Sequence, residues 1–275
     1  MIGHDAGASA LIPHKGERHE PEVEDVFTRL VEEGQQRLRR PWLPLIATGV
    51  LGGVDVGVGV LTYLVVKEQT GNSLLASLAF TVGFMALVLA KSELFTENFL
   101  VPVTAVISRD GTVLQLLRLW AVSLGANLIG GLLMAAIIMG AMPEVHDTAI
   151  ETGAHYAELG RTWRALLLAV LAGAVITLLT RMQQATEQVG VKLAASMAFA
   201  FVLVGTQLFH SVLDSIFMFA GLLTGRATYG WVSWLDALWL SALGNVIGGV
   251  VLVTGIRLLR VSHRVAEERD HPDTT

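Results

Sequence analysis

Several polar side chains of this 275-residue chain are stranded inside long apolar runs. Lys91-Ser92-Glu93-Leu94-Phe95-Thr96-Glu97-Asn98 interrupts one run, and Thr206-Gln207-Leu208-Phe209-His210-Ser211 interrupts another. Ionisable groups at membrane depth are costly and face a cavity or one another. Histidine can exchange a proton near neutral pH. His210 would therefore lower the cost of bringing an anion into a low-dielectric passage, by sharing a proton or by its charge. Thr96 supplies a hydroxyl, either to a solute or as a cap for the half-helix that follows. Leu94, Phe95, Leu208 and Phe209 flank the interruptions and would form an apolar constriction. Lys91, Glu93, Glu97 and Asp214 read as a charge network that holds the loop or gates it. Asp55, inside another apolar run, reads as a hydrogen-bonded contact between helices or subunits.

Other chemistries lack their residues. There is no cysteine, so disulfides and thiolate catalysis are excluded. His4, His14, His19, His263 and His271 fall in polar tails with no metal-ligand spacing, so no metal or other cofactor is expected. No nucleophile and base stand together, and an enzyme is not expected. Gly130-Gly131 and Gly248-Gly249 lie in no phosphate-binding pattern and read as close-packing residues. A net charge of −5 argues against a nucleic-acid partner.

These residues must be held by helices in a bilayer. Hydrophobic residues make up 53% of the chain and charged ones 16%, against about 25% charged in an ordinary soluble domain. Apolar runs near the ~20 residues that cross hydrocarbon predict spans at 43–66, 74–107, 113–141, 163–182, 191–223 and 235–259. The second and fifth are too long for one straight crossing and carry the polar interruptions, so both read as broken helices with a re-entrant loop. Trp42, Trp163 and Trp231 at span ends read as interface anchors. Residues 1–40 form a polar tail with an amphipathic helix marked by Val23, Val26, Phe27, Leu30 and Val31. The remainder divides into a first three-helix unit (41–141), a connecting loop (142–162), a second three-helix unit (163–260) and a tail (261–275). Lys and Arg concentrate on one side, which places both termini in the cytoplasm and the 142–162 loop outside.

The two units echo each other. Glu93-Leu94-Phe95-Thr96 matches Gln207-Leu208-Phe209-His210 at an offset of 114. Leu119-Trp120 with Asn127-Leu128-Ile129-Gly130-Gly131 matches Leu238-Trp239 with Asn245-Val246-Ile247-Gly248-Gly249 at an offset of 118. Three crossings per unit force the second to lie upside down relative to the first. Inverted repeats with discontinuous helices at matching positions are a transporter and channel architecture, and the half-helix termini suit an anion.

Leu94-Phe95-Thr96, His210-Ser211 and Asn-x-Ile-Gly-Gly, in this order and spacing over roughly residues 25–260, resemble the formate/nitrite transporter family. That resemblance implies an aquaporin-like six-helix protomer, a homopentamer with one pore per protomer, and a cytoplasmic membrane of a prokaryote. It implies transport of small monovalent anions of weak acids such as formate or nitrite. It makes Thr96 the loop hydroxyl, His210 the central pore histidine and Asn245 the nearby amide. The chain departs from the family pattern at Glu97, Phe209, Asp214 and Gly173, and Arg161 or Arg164 stands in for the family's outer lysine. A neutral-solute channel and a non-conducting membrane scaffold or sensor are the alternatives. The paired Asn-Pro-Ala signature of aquaporins is absent.

Overall fold

Backbone groups that meet only lipid must close their hydrogen bonds internally, and a helix does so within one segment. The computed structural model describes residues 21–260 together with 262, 265 and 266, and every regular element among them is helical. Residues 1–20, most of 261–275 and the five tail histidines lie outside the described residues.

Helix α1 (Pro21–Leu38) precedes α2 (Trp42–Thr70), which ends where Gly71 takes φ 65° and returns its N–H to Lys67. Asn72 then caps α3 (Ser73–Ala90) by accepting from the N–H groups of Leu74 and Leu75. A 3-10 turn (Phe95–Phe99) leads into α4 (Val101–Ile107). Thr112 and Gln115 form a reciprocal capping box at the start of α5 (Val113–Ala141). The segment expected as a connecting loop folds instead as a 3-10 turn (Pro143–Val145) and α6 (His146–Leu159). Ala149, Gly153 and Tyr156 recur at helical spacing on its buried face, which gives that helix something to pack with.

Helix α7 (Trp163–Gln184) follows, capped by Thr162, then α8 (Val189–Gly205) and α9 (Ser211–Leu223). Helix α10 (Trp231–Val246) runs on through a π-helical stretch (Ile247–Gly255) into α11 (Ile256–Arg260). Among the described residues five helices are long and apolar enough to cross a membrane: 42–70, 73–90, 113–141, 163–184 and 231–260. The segments 95–107, 189–205 and 211–223 are apolar but shorter. The chain thus leaves helical geometry between Ala90 and Phe95, and again between Gly205 and Ser211.

Two pairs of helices approach closely through glycine. A Cβ on Gly53 of α2 would lie 2.1 Å from the Asn127 carbonyl oxygen of α5, and one on Gly173 of α7 would lie 2.1 Å from the Asn245 carbonyl oxygen of α10. Only backbone without a side chain fits there, and the closeness brings each Asn within reach of an interruption. Large apolar side chains also point outward: Leu43 and Leu114 are each 77% exposed, the surface expected against lipid rather than water.

Candidate functional site

Each interruption begins with a left-handed residue: Lys91 at φ 54° and Gln207 at φ 52°. Such a conformation costs of order 1–3 kcal/mol for a non-glycine residue and persists only when its surroundings hold it. Asn127 supplies that hold at the first interruption. Its Oδ1 accepts the Phe95 N–H at 2.8 Å, and its Nδ2 donates to the Glu93 carbonyl at 2.9 Å and to Gly49 of α2 at 2.7 Å. Asn245 repeats the pattern at the second. Its Oδ1 accepts the Ser211 N–H at 3.0 Å, and its Nδ2 donates to Phe209 and to Ala169 of α7, both at 2.9 Å. Both side chains are fully buried, and both amides are committed to backbone.

A carboxylate completes each site. Glu97 Oε2 accepts the Leu94 N–H at 2.8 Å, and Asp214 Oδ2 accepts the His210 N–H at 2.7 Å. The N–H groups of Leu94, Phe95, His210 and Ser211 are therefore all bonded within the protein. The two acids unlike the family pattern serve as caps for the turns that follow.

The interruptions meet at Thr96 and His210, whose Oγ1 and Nε2 lie 3.0 Å apart with both residues 0% exposed. Nδ1 of the same ring accepts the Leu213 N–H at 3.2 Å, so the ring proton resides on Nε2 and is donated to Thr96. Leu94, Phe95, Leu208 and Phe209 are all buried around this contact. Phe95 and Phe99 pack edge to face at 4.9 Å, with Trp120 against both, and the Trp120 indole donates to the Asn98 carbonyl at 3.0 Å. On the other side the ring of Tyr156 lies parallel to that of Phe209.

Each interruption contributes residues to a separate cavity. One, of about 750 Å3, is lined by residues of α1 and the first interruption, among them Arg37, Arg40, Lys91, Glu93 and Glu97. The other, of about 300 Å3, is lined by Tyr63, Lys67, His155, Tyr156 and Gln207 among others. Lys91 and Gln207 each face one cavity; Thr96 and His210 line neither.

The four residues expected as one network have separate partners. Glu93 Oε1 takes Arg40 at 2.8 Å and Arg37 at 3.6 Å, while Glu97 and Asp214 cap backbone. Lys91 is exposed with no partner among the described residues. Asp55 accepts a hydrogen bond from Ser92, tying α2 to the first interruption. Arg161 pairs with Asp236, and neither it nor Arg164 lines the smaller cavity, where Lys67 stands instead.

Arg37, Arg40 and Tyr156 escaped sequence reasoning. Arg37 donates to Asn98 Oδ1 at 3.2 Å and also meets Glu33. Burial alone would lower its pKa, but Glu93, Glu33 and Glu97 raise it above the ordinary value, so the guanidinium stays charged. The signal available in sequence was only the cluster Arg37, Arg39, Arg40 ahead of the first span.

These features define a polytopic helical membrane protein with a buried hydroxyl–imidazole pair where two interrupted segments meet. The sequence matches the formate/nitrite transporter family over residues 24–259, and the chain belongs to that family. A "Formate-nitrite transporter" of Plasmodium vivax is 32% identical over 127 residues, 42% of this chain, and the chain spans 41% of that relative's length. The "Formate channel BtFdhC" of Bacillus thuringiensis is 26% identical over 252 residues, covering 86% of this chain and 93% of the relative. A solved structure described as "Pentameric formate channel with formate bound" has the same fold, with a TM-score of 0.65 at 19% identity over 80% of this chain and 97% of that one.

Proposed function

We propose that the chain passes small monovalent anions of weak acids, formate among them, across a cytoplasmic membrane, through a passage centred on Thr96 and His210. The observation that carries this reading is their 3.0 Å contact among buried apolar side chains, in two interruptions that each also line a polar cavity. An anion enters such a wall only at a large cost in solvation. The Nε2–H there can donate a hydrogen bond to the anion; a proton that the anion takes from water on the entry side makes it a neutral acid, which crosses and gives that proton back to water beyond. In this conformation the passage is closed, because neither cavity reaches the pair.

The proposal includes the architecture. Spans two and five are α3 with 95–107 and α8 with α9, each broken at mid-bilayer, in a 3+3 inverted repeat of 41–141 and 163–260. The matched bonding of Asn127 and Asn245 supports the repeat. Residues 1–40 and 261–275 then face the cytoplasm, with 142–162 outside. A homopentamer with one passage per protomer follows the pentameric relative, and native mass measurement in detergent tests it. Leu94, Phe95, Leu208 and Phe209 form the constriction in this reading.

One observation favours a second reading, in which the solute is uncharged as it passes. The four N–H groups at the interruptions that would greet an anion already bond to Glu97, Asn127, Asp214 and Asn245. Flux into proteoliposomes separates the readings. Formate uptake that rises with an inward proton gradient supports the first, and swelling in neutral solutes without it supports the second. His210→Asn is expected to assemble normally and lose the pH dependence of flux. Wild-type flux at every pH in that variant discards the role of the imidazole.

A further inference from the structure

We infer that Tyr156 is a specificity-determining residue of the passage, its ring closing the end nearest α6 and its hydroxyl meeting the solute before His210 does. The inference rests on the transport reading above and deepens it at a residue that lies in none of the repeated motifs.

The fold goes to some length to fix this side chain. A Cβ on Gly153 of α6 would fall 1.9 Å from the Tyr229 hydroxyl, and one on Gly221 of α9 would fall 2.2 Å from it. Helix α6 is thus pressed onto α9, and the Tyr229 hydroxyl donates to the Met218 carbonyl of α9 at 3.0 Å to complete the clamp. One turn along α6, Tyr156 is stacked 6.1 Å from Phe209 with an interplanar angle of 1°, and 6.2 Å from Phe217 at 12°. Phe209 directly precedes His210, so the tyrosine ring continues the apolar wall by one layer toward the smaller cavity.

Its hydroxyl is unlike the other polar tips on aromatic rings near the site. The indoles of Trp120 and Trp234 and the phenol of Tyr229 each donate a hydrogen bond within the protein. Tyr156, 3% exposed and lining the smaller cavity, makes none among the described residues. Buried phenols are normally paired. One left open at the floor of a cavity is available to whatever occupies it. A phenol both donates and accepts, so it can donate to a carboxylate oxygen and accept from the O–H of the undissociated acid. Being uncharged, it does so without trapping the ion.

The experiment compares wild type, Tyr156→Phe and Tyr156→Ala in proteoliposomes, reading uptake of formate and of bulkier lactate, with pentamer content checked by size exclusion. Tyr156→Phe keeps the ring and is expected to slow formate about fivefold, the worth of one neutral hydrogen bond, with the formate-to-lactate ratio little changed. Tyr156→Ala removes the ring and is expected to raise lactate flux relative to formate about tenfold, as a pocket relaxed in size does. If the alanine variant fails to assemble, Tyr156→Leu takes its place. Assembled variants that reproduce the wild-type formate flux and the wild-type ratio overturn the inference while leaving the transport reading intact. A wild type that moves neither solute sinks the transport reading itself, and this inference with it.

Discussion

Thr96 and His210 stand 114 positions apart in the chain and touch in space. The echo that links their positions was legible in the sequence, because the flanking Leu-Phe recurs in both segments. The contact itself was not legible, since no periodicity says that two interruptions meet tip to tip. The same holds for Glu97 and Asp214. Charge at membrane depth pointed to a network, whereas each acid serves the backbone of its own turn. The asparagines carry the heaviest structural duty at this scale. Replacing Asn127 or Asn245 by Ala strands a buried N–H and one carbonyl of an interruption, at roughly 1–3 kcal/mol for each group left unpaired. Either variant is expected to lower the thermal midpoint of the detergent-solubilised protein sharply. An unchanged midpoint for both would mean that the interruptions are held by something else.

At the scale of elements, the long helices were the most legible feature, because twenty apolar residues in a row have few alternatives. Helix α6 was not, since its polar face and its length fit a loop as well. The docking of α1 escaped for another reason: its partners are remote in sequence. Leu30 packs with Leu100 and Val101, and a Cβ on Gly34 would lie 2.5 Å from the Val101 carbonyl oxygen. Arg37 and Arg40 then reach Glu93 in the first interruption. Glu93→Gln keeps the shape but weakens these charge-assisted contacts, at a cost of about 2 kcal/mol. Limited trypsin digestion should then cut after Arg39 faster than in wild type, the Arg40–Pro41 bond being resistant to trypsin. Equal cleavage rates would show that apolar packing alone secures α1.

Among the described residues, apolar side chains point outward and polar and charged groups line the two cavities. Composition already implied the first property, since so few charges cannot dress a soluble surface. The cavities were beyond reach of the sequence, because they are spaces between elements rather than properties of any one. The larger holds the exposed ammonium of Lys91 beside Arg37, Arg40, Glu93 and Glu97, whereas the smaller holds Lys67 with Glu151, His155 and Glu158. Lys91→Gln should slow formate uptake from the α1 side at low ionic strength and have little effect near 1 M salt, where screening extends only about 3 Å. Salt-independent slowing would point to a local structural role instead.

That mismatch between mouths has a kinetic meaning. Two matched scaffolds ending in unmatched rims cannot set the direction of net flow, which obeys the gradient alone. They can set how often a solute is captured from each compartment. A carrier of this build would saturate at different concentrations on its two faces while respecting one equilibrium, so import and release would be tuned apart without any energy source.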